Sequence, residues 1–258
     1  MLTRAYAKIN IGLDIVGIRT DGYHLVDMVM QTVDLYDELD IAPRDDGKVV
    51  LICDDPDVPT DEKNLAYKAA RALLPEGDKR GVTINLRKNI PSQAGLGGGS
   101  SDAASALVSI NLIYGLGRTD EELERIGAGI GADVSFFIKG GCQRCTGIGE
   151  ILSPAENDFG GYVIIVKPDA GISTKEVYAA YDRLEKKPEL ANVLEAVTAA
   201  ACPEITEIKS RLLSCGASFA SMSGSGTAVF GIFRELPGKE TIESLKRDYR
   251  RVYPVKMR

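Results

Sequence analysis

A glycine-rich stretch, residues 91–104 with the sequence PSQAGLGGGSSDAA, carries the strongest chemical signal in the chain. Glycine has no Cβ and readily adopts positive φ, so the main chain of such a stretch can wrap closely around a ligand. Ser100, Ser101 and Asp102 follow the glycines and are typical N-cap residues before an alanine-rich helical pattern. A helix N-terminus offers unpaired N–H donors and a partial positive charge, which favour an anion by roughly 0.3–2 kcal/mol. The stretch therefore predicts a polyphosphate-binding loop whose helix begins at the serines.

Two well-known phosphate-binding motifs do not fit this loop. A Walker-type loop ends in Gly-Lys-Ser/Thr, and a dinucleotide fingerprint needs a later acidic residue at the tip of a second strand. Neither spacing occurs here. A flexible Gly/Ser linker is the alternative, but a strand-like segment at 82–86 and a helix flank the stretch, which is untypical of a linker.

Lys8 and Asp133 are a second pair of candidates for chemistry. Lys8 lies in a stretch, residues 4–17, that alternates like a half-buried strand, and it shares the more polar face with Asn10. A solvated lysine is the ordinary alternative. Asp133 stands in a Gly/Ala setting beside an apolar run, where a buried charge is costly unless it is paired. Lys8 is the candidate partner for this carboxylate.

The histidine and cysteine content leaves two further questions. His24 is the only histidine and follows Tyr23 directly after a turn signal at 19–22. It either closes the turn or, with Tyr23, holds a planar ring.

Cys142 and Cys145 form a Cys-x-x-Cys pair, but a zinc site would need a second pair and a redox site its own surrounding pattern. We predict no metal site and no disulfide framework.

Length and charge restrict the class of protein. The chain has 258 residues, 44% of them hydrophobic and 26% charged, which favours a globular protein with two domains. We expect the domains at 1–153 and 154–258, divided at the polar loop that includes residues 156–158. The net charge of −6 argues against nucleic-acid binding through a basic surface. Neither a signal segment nor a membrane-spanning run is visible, so we expect a cytoplasmic protein without membrane contact.

The candidate residues need an alternating set of strands and helices to position them. Short apolar runs between turn residues predict strands at 4–17, 23–33, 39–41, 49–53, 82–86, 162–166, 217–222, 227–233 and 252–256. Helical spacing predicts helices at 63–74, 119–128, 173–184, 190–200, 203–213 and 239–249, besides the helix after the glycine loop. Thr119 and Ser173 each begin a sequence typical of a capping box.

Several segments together resemble the GHMP kinase superfamily. They are Ala-Lys-Ile-Asn at 7–10, Asp-Gly-Tyr-His at 21–24, the glycine loop, Gly-Ala-Asp-Val at 131–134 and Met-Ser-Gly-Ser-Gly at 222–226. The likeness covers nearly the whole chain. It implies an α+β fold of two domains, an N-terminal domain like ribosomal protein S5 with a left-handed crossover and a ferredoxin-like C-terminal domain, with the active site between them.

The resemblance also implies an activity. The segment at 21–24 favours members that use ATP to phosphorylate the 2-hydroxyl of a diphosphocytidyl methylerythritol in the non-mevalonate route to isoprenoids. Asp133 would accept the hydroxyl proton, and Lys8 would orient it and stabilise the developing charge. Magnesium would arrive with ATP.

Binding residues follow from the same resemblance. Those implied for ATP are Asn64, Pro91, Ser92, Gln93, Ala94, Gly95, Leu96, Gly97, Gly98, Gly99, Ser100 and Ser101. Those implied for the small cytidyl substrate are Asn10, Tyr23, His24 and Tyr178, with the two phenol rings on either side of the base. We expect a monomer or a weak homodimer.

Two other functions stay open. One is a superfamily kinase that acts on mevalonate, homoserine or a sugar, and the other is a nucleotide-binding relative without catalysis. Tyr6 and the segment 92–94 depart from the residues that superfamily members often carry there, but they leave Lys8, Asp133 and the later glycines in place. A panel of alcohol substrates separates these possibilities.

Overall fold

The computed structural model describes residues 1–157 and 161–258, so that Asp158 of the expected boundary loop lies outside the described residues. The chain forms two units that are each built from separate segments. The first contains Met1–Ala7, Leu35–Ile90 and Gly97–Gly140, and the second contains Lys8–Asp34, Pro91–Leu96 and Gly141–Arg258. The expected domains, 1–153 and 154–258, are instead two continuous stretches of sequence, and this division stays a prediction.

The strands and helices alternate along most of the chain. The strands are β1 (Leu2–Ile18), β2 (His24–Arg44), β3 (Val49–Cys53), β4 (Gly81–Arg87), β5 (Cys142–Thr146), β6 (Ile151–Pro154), β7 (Tyr162–Val166), β8 (Phe219–Met222), β9 (Val229–Phe233) and β10 (Val252–Lys256). The helices are α1 (Leu65–Leu73), α2 (Gly98–Ile113), α3 (Asp120–Ala128), α4 (Val134–Lys139), α5 (Thr174–Asp182), α6 (Glu195–Ala201), α7 (Glu204–Ser214) and α8 (Lys239–Asp248). Among the described residues, no helix combines the length and the apolar character needed to cross a membrane.

The first unit packs helices on a sheet. β3 pairs in parallel with β4, and α1 connects these two strands. β4 pairs antiparallel with the C-terminal part of β2, from Glu38↔Arg87 to Arg44↔Gly81. Alanines on α1 and α2 let the two helices approach closely, and the core between helices and sheet contains Leu39, Ile41, Ala69, Ile84, Leu86, Ala103, Leu107 and Ile110. This core fixes α2, the helix that follows the glycine loop.

The second unit contains a ferredoxin-like sheet. Its strand order is β10-β7-β9-β8, and every neighbouring pair is antiparallel. Helices α5 to α7 separate β7 from β8 in sequence, and α8 separates β9 from β10, which gives the β-α-β-β-α-β order of that fold. The N-terminal part of β2 pairs with β5 in the same unit. The expectation of an α+β fold with a ferredoxin-like C-terminal domain is confirmed.

Several predicted boundaries are wrong, each for a physical reason. β2 is one long strand, where the sequence suggests strands at 23–33 and 39–41, because buried Asp37 interrupts the apolar pattern without interrupting the strand. Helix α2 begins at Gly98 with Gly97 as N-cap, three residues before the serine run ends. Ser173 makes no side-chain cap on α5, whereas the capping box at Thr119 is present.

Candidate active site

The first half of the glycine loop, residues 91–96, is held by the second glycine turn at 223–226. Ala228 N donates to Ala94 O at 3.1 Å, and Ser223 Oγ donates to Gly95 O at 2.8 Å. Gly95 has φ +71°, and a Cβ on it would lie 2.0 Å from Ser223 O. Only glycine fits this position, because the left-handed backbone and the close carbonyl both exclude a side chain. The two turns are therefore packed backbone to backbone within the second unit.

Lys8 contacts this pair of turns directly. Its side chain is buried, and Nζ donates to Gly95 O at 2.8 Å and to Asn10 Oδ1. Asn10 is also buried, and its backbone N donates to Ser223 Oγ at 3.2 Å. The solvated alternative for Lys8 is thus wrong. The ammonium group is fixed beside the loop that the sequence predicts to bind phosphate.

Asn192 and Glu195 shape the second turn, and sequence reasoning missed both. Asn192 is fully buried, and its Nδ2 donates to Met222 O and Gly224 O, each at 2.8 Å. Glu195 accepts from Met222 N at 3.0 Å and from Lys209 Nζ at 2.5 Å. The stretch 190–200 looks helical throughout, but the helix begins only at Glu195. Nothing local marks these two side chains as supports of a turn thirty residues later.

The second half of the glycine loop opens helix α2 in the first unit. Gly97 is its N-cap, with φ 74° and ψ 18° in the left-handed region, and no described side chain caps this end. Ser101 Oγ donates to Tyr6 O at 2.6 Å and so anchors the first turn to β1. A glycine cap leaves the first N–H groups of the helix available for an anion. The phosphate-binding prediction for residues 97–101 fits this geometry and stays a prediction.

A buried ionic cluster connects the residues that precede the glycine loop with helix α2. Lys88, which follows β4, contacts Asp37 of β2, and its Nζ lies 2.8 Å from Asp102 Oδ2 on α2. Asp37 Oδ1 also accepts from Ile90 N at 2.8 Å. Burial would lower the pKa of Lys88, but the two carboxylates together raise it. Burial raises the pKa of Asp102 to about 7, although Lys88 opposes this, and Asp102 Oδ1 has no hydrogen-bond partner among the described residues.

Asp133 and Asn64 lie elsewhere in the first unit. Asp133 is half-buried and precedes α4, without capping that helix through its side chain. Its expected pairing with Lys8 joins residues of different units and stays a prediction. Asn64 caps α1, since its Oδ1 accepts from Ala66 N and its Nδ2 donates to Pro59 O, both at 2.8 Å. The nucleotide contact expected of Asn64 is likewise untested.

The second unit brings two of the expected cytidyl-binding residues together. The ring centroids of His24 and Tyr178 lie 4.7 Å apart at an angle of 48°. His24 Nε2 lies 2.8 Å from Oδ1 of Asp182, a residue that the sequence analysis did not select. Tyr23 is 58% exposed, with the Arg19 guanidinium 5.4 Å from its ring centroid. A signal for Asp182 did exist, because it lies one helical turn after Tyr178.

Family models match both halves of the chain. The model described as GHMP kinases N terminal domain matches residues 64–141, and the one described as GHMP kinases C terminal matches residues 178–254. These ranges include the whole glycine loop, Asp133, Tyr178 and the second glycine turn.

Individual proteins are similar over the whole length. The 4-diphosphocytidyl-2-C-methyl-D-erythritol kinase of Clostridium novyi (strain NT) is 42% identical, covering 98% of this chain and 98% of its own. The protein of the same name from Clostridium perfringens (strain 13 / Type A) is 42% identical, covering 97% of this chain and 95% of its own.

Solved structures agree with this relationship. The crystal structure of a 4-(cytidine 5'-diphospho)-2C-methyl-D-erythritol kinase has a TM-score of 0.83 at 31% identity, covering 100% of this chain and 99% of that chain. Methanococcus jannaschii mevalonate kinase, at 16% identity, shares the fold with a TM-score of 0.77 over 100% of this chain and 98% of its own. The chain belongs to the GHMP kinase family and, within it, to the family of 4-diphosphocytidyl-2-C-methyl-D-erythritol kinases.

Proposed function

We propose that this chain transfers the γ-phosphoryl group of ATP to the 2-hydroxyl of 4-diphosphocytidyl-2-C-methyl-D-erythritol, a step of the non-mevalonate route to isoprenoid precursors. The observation that carries the proposal is the 42% identity to a kinase of this name across 98% of both chains. The residues proposed below carry the kinds of group that phosphoryl transfer needs, because that reaction depends on positioning and charge stabilisation. ATP enters as its magnesium complex, so the ion is part of the substrate.

Lys8 is proposed to stabilise the charge that develops on the transferred phosphoryl group. Its ammonium is held by Gly95 O and Asn10 Oδ1, so it does not have to be reoriented during the reaction. A preorganised cation in a water-poor site contributes more to the transition state than one in solvent does. Asn10 therefore orients Lys8, and this role adds to the substrate contact that the family resemblance implies.

Asp133 is proposed to accept the proton of the 2-hydroxyl. A carboxylate is a weak base toward an alcohol, so the proton moves late, as the phosphoryl group arrives and the oxygen becomes acidic. A positioned base of this kind contributes about 10²–10⁴ in rate. The open N-terminus of α2 and the glycine loop bind the phosphates of ATP.

His24, Tyr178 and Tyr23 are proposed to bind the cytidyl group. Aromatic rings provide a flat apolar surface for a base, and an imidazole can hydrogen-bond to its polar edge. His24 and Tyr178 already lie together in the second unit, 4.7 Å apart. We further propose that the enzyme works in the cytoplasm on small molecules, as a monomer or weak homodimer, without nucleic-acid or membrane partners.

A substrate panel tests the proposal. The purified chain is assayed for ADP release with MgATP and the cytidyl substrate, the same alcohol without its CMP group, mevalonate, homoserine and a sugar. Lys8→Met, which keeps the length of the side chain but removes its charge, measures the background. We expect kcat/KM for the cytidyl substrate to exceed every other value by at least about 10², equivalent to about 2.7 kcal/mol of transition-state binding.

Three results would contradict it. Equal use of the CMP-free alcohol would mean that the cytidyl group is not recognised. Preferred use of mevalonate, homoserine or a sugar would assign the chain to another kinase activity. ATP binding without ADP release on any alcohol would identify a relative that has lost catalysis.

A further inference from the structure

Asp182, the last residue of α5, is the hydrogen-bonding partner of the only histidine in the chain. Its Oδ1 lies 2.8 Å from His24 Nε2. An ionised carboxylate can only accept a hydrogen bond, so a neutral imidazole in this contact carries its proton on Nε2. Nδ1 of the same ring then has a free lone pair and acts as an acceptor. One carboxylate oxygen thus determines which ring nitrogen donates and which accepts.

The ring of His24 is held on two sides by one helix. Tyr178 packs against its face, with the centroids 4.7 Å apart, and Asp182 binds its Nε2 edge. Tyr178 and Asp182 are four residues apart on α5, so they project from the same face of that helix. The side chain of His24 is only 14% exposed. Within the described part of the chain, no hydrogen bond occupies Nδ1, which leaves this acceptor for a ligand.

We propose that Asp182 is a specificity-determining residue that makes the enzyme select cytosine over uracil by fixing the tautomer of His24. Cytosine carries an amino group, a donor, at the ring position where uracil carries a carbonyl oxygen, an acceptor. Nδ1 as an acceptor matches the amino group and repels the carbonyl. The inference rests on the proposed function, since it needs a cytidyl substrate at His24.

The role of Asp182 is to prevent the ring from adapting. Without the carboxylate, the imidazole can move its proton to Nδ1 and donate to uracil. With the carboxylate in place, that tautomer would set the lone pair of Nε2 against a negative oxygen and lose a hydrogen bond. A site built for one hydrogen-bonding pattern rejects the opposite pattern much more strongly than it rejects a change of size.

The tautomer can be observed directly because the chain has one histidine. A long-range ¹H–¹⁵N spectrum of the ¹⁵N-labelled protein contains a single imidazole, and it is recorded at increasing pH until the two nitrogen shifts no longer change. We expect the wild type to show a protonated Nε2 and an unprotonated Nδ1. In Asp182→Ala the two nitrogen shifts should converge as the other tautomer becomes populated. Asp182→Glu should keep the wild-type pattern, because it retains a carboxylate, which can only accept.

Kinetics with two nucleotide-linked alcohols test the consequence. We expect the wild type to prefer the cytidyl substrate over its uridyl analogue by at least about 10² in kcat/KM. Asp182→Ala should reduce this ratio about tenfold or more, mainly through the KM values, and Asp182→Glu should keep most of it. Glu185→Ala removes an exposed acidic side chain three residues further on and should leave both the spectrum and the ratio unchanged.

The outcomes separate this inference from the proposed function. A wild-type spectrum with the proton on Nδ1, or an unchanged ratio in Asp182→Ala, overturns the role of Asp182 while turnover of the cytidyl substrate continues. A lost ratio in Asp182→Glu whose spectrum keeps the wild-type pattern also overturns it, because the tautomer would then not be what matters. Absence of turnover on both alcohols refutes the proposed function itself, and the selectivity with it.

Discussion

Replacing Lys88 by methionine should unfold the chain more easily, and the effect should grow with pH. The side chain of Lys88 is 8% exposed and lies between carboxylates that are 0% and 4% exposed, those of Asp37 and Asp102. Methionine has nearly the same length and fills the same space without the charge. The substitution therefore leaves two buried carboxylates without their common cation.

The magnitude follows from the burial. Removing one partner of a buried ion pair costs about 3–5 kcal/mol, because the remaining charge is neither solvated nor paired. Asp102 can relieve part of this cost by binding a proton, since burial already raises its pKa to about 7. Each further unit by which Lys88→Met raises the pKa of Asp102 adds about 1.4 kcal/mol to the loss above that pKa. We expect a loss of about 3–5 kcal/mol at pH 8 and a smaller loss at pH 5.5.

Urea unfolding followed by far-UV circular dichroism measures these losses, since the chain has no tryptophan for fluorescence. Lys68→Met is the matched control, because Lys68 is exposed on α1 of the same unit, and it should change the free energy of unfolding by less than about 0.5 kcal/mol. The double variant Lys88→Met with Asp102→Leu removes a charge of each sign. It should be more stable than Lys88→Met alone by at least about 1 kcal/mol.

Two results would refute this reasoning. One is a loss below about 1 kcal/mol at pH 8, which would mean that the cluster is hydrated or that its charges do not interact. The other is a double variant no more stable than Lys88→Met, which would mean that the lost side-chain packing, and not the unpaired carboxylate, causes the effect.

Four more predictions concern the same loop and its supports. Asp133→Asn should keep its affinity for ATP while kcat falls by at least about 10², as measured by ATP titration and ADP release; near-normal turnover would remove it from the role of base. Gly95→Ala should lose at least about 2 kcal/mol of stability, because its backbone is left-handed and the new Cβ would meet Ser223 O, and an unchanged thermal midpoint would contradict that packing. Asn192→Ala removes the amide that donates to Met222 O and Gly224 O. It should lower the free energy of unfolding by about 1–3 kcal/mol and raise KM for ATP, because two buried carbonyls lose their donor. A variant with unchanged stability and KM would show that the turn keeps its shape without this amide. The contribution of Asp102 to the free energy of unfolding should fall as pH rises from about 4 to 7, because the folded state keeps a proton on Asp102 that the unfolded chain releases; the free energy of the wild type minus that of Asp102→Asn should therefore fall over this range, and a constant difference would contradict it.

The parts of the fold that depend on local pattern could be predicted from the sequence. β7 and β10 begin and end at the predicted residues, because turn residues on both sides of a short apolar run fix the ends of the strand. The capping box at Thr119 was likewise visible, since both of its side chains are local. The glycine loop, the second glycine turn and Lys8 stood out by residue type and spacing.

The remaining errors come from interactions between distant residues. Asp37 interrupts the apolar pattern of β2, and its contacts with Lys88 and with the backbone N–H of Ile90 explain a carboxylate inside a strand. The serines after the glycines look like better caps than Gly97, but Ser101 is bound to Tyr6 O and the left-handed glycine opens the helix instead. Asn192 acts on a residue 30 positions away, so no local pattern reveals it, and only the position one helical turn after Tyr178 points to Asp182.

The central claim is that the chain makes a new phosphate monoester on an intact cytidyl diphosphate. A ³¹P NMR spectrum of the purified chain with MgATP and 4-diphosphocytidyl-2-C-methyl-D-erythritol tests it directly. We expect a monoester signal that grows with ADP while the diphosphate signals of the substrate persist, and the same sample with Lys8→Met should stay unchanged over the same time. Inorganic phosphate as the only new product, or a spectrum that does not change with the wild-type chain, would contradict it.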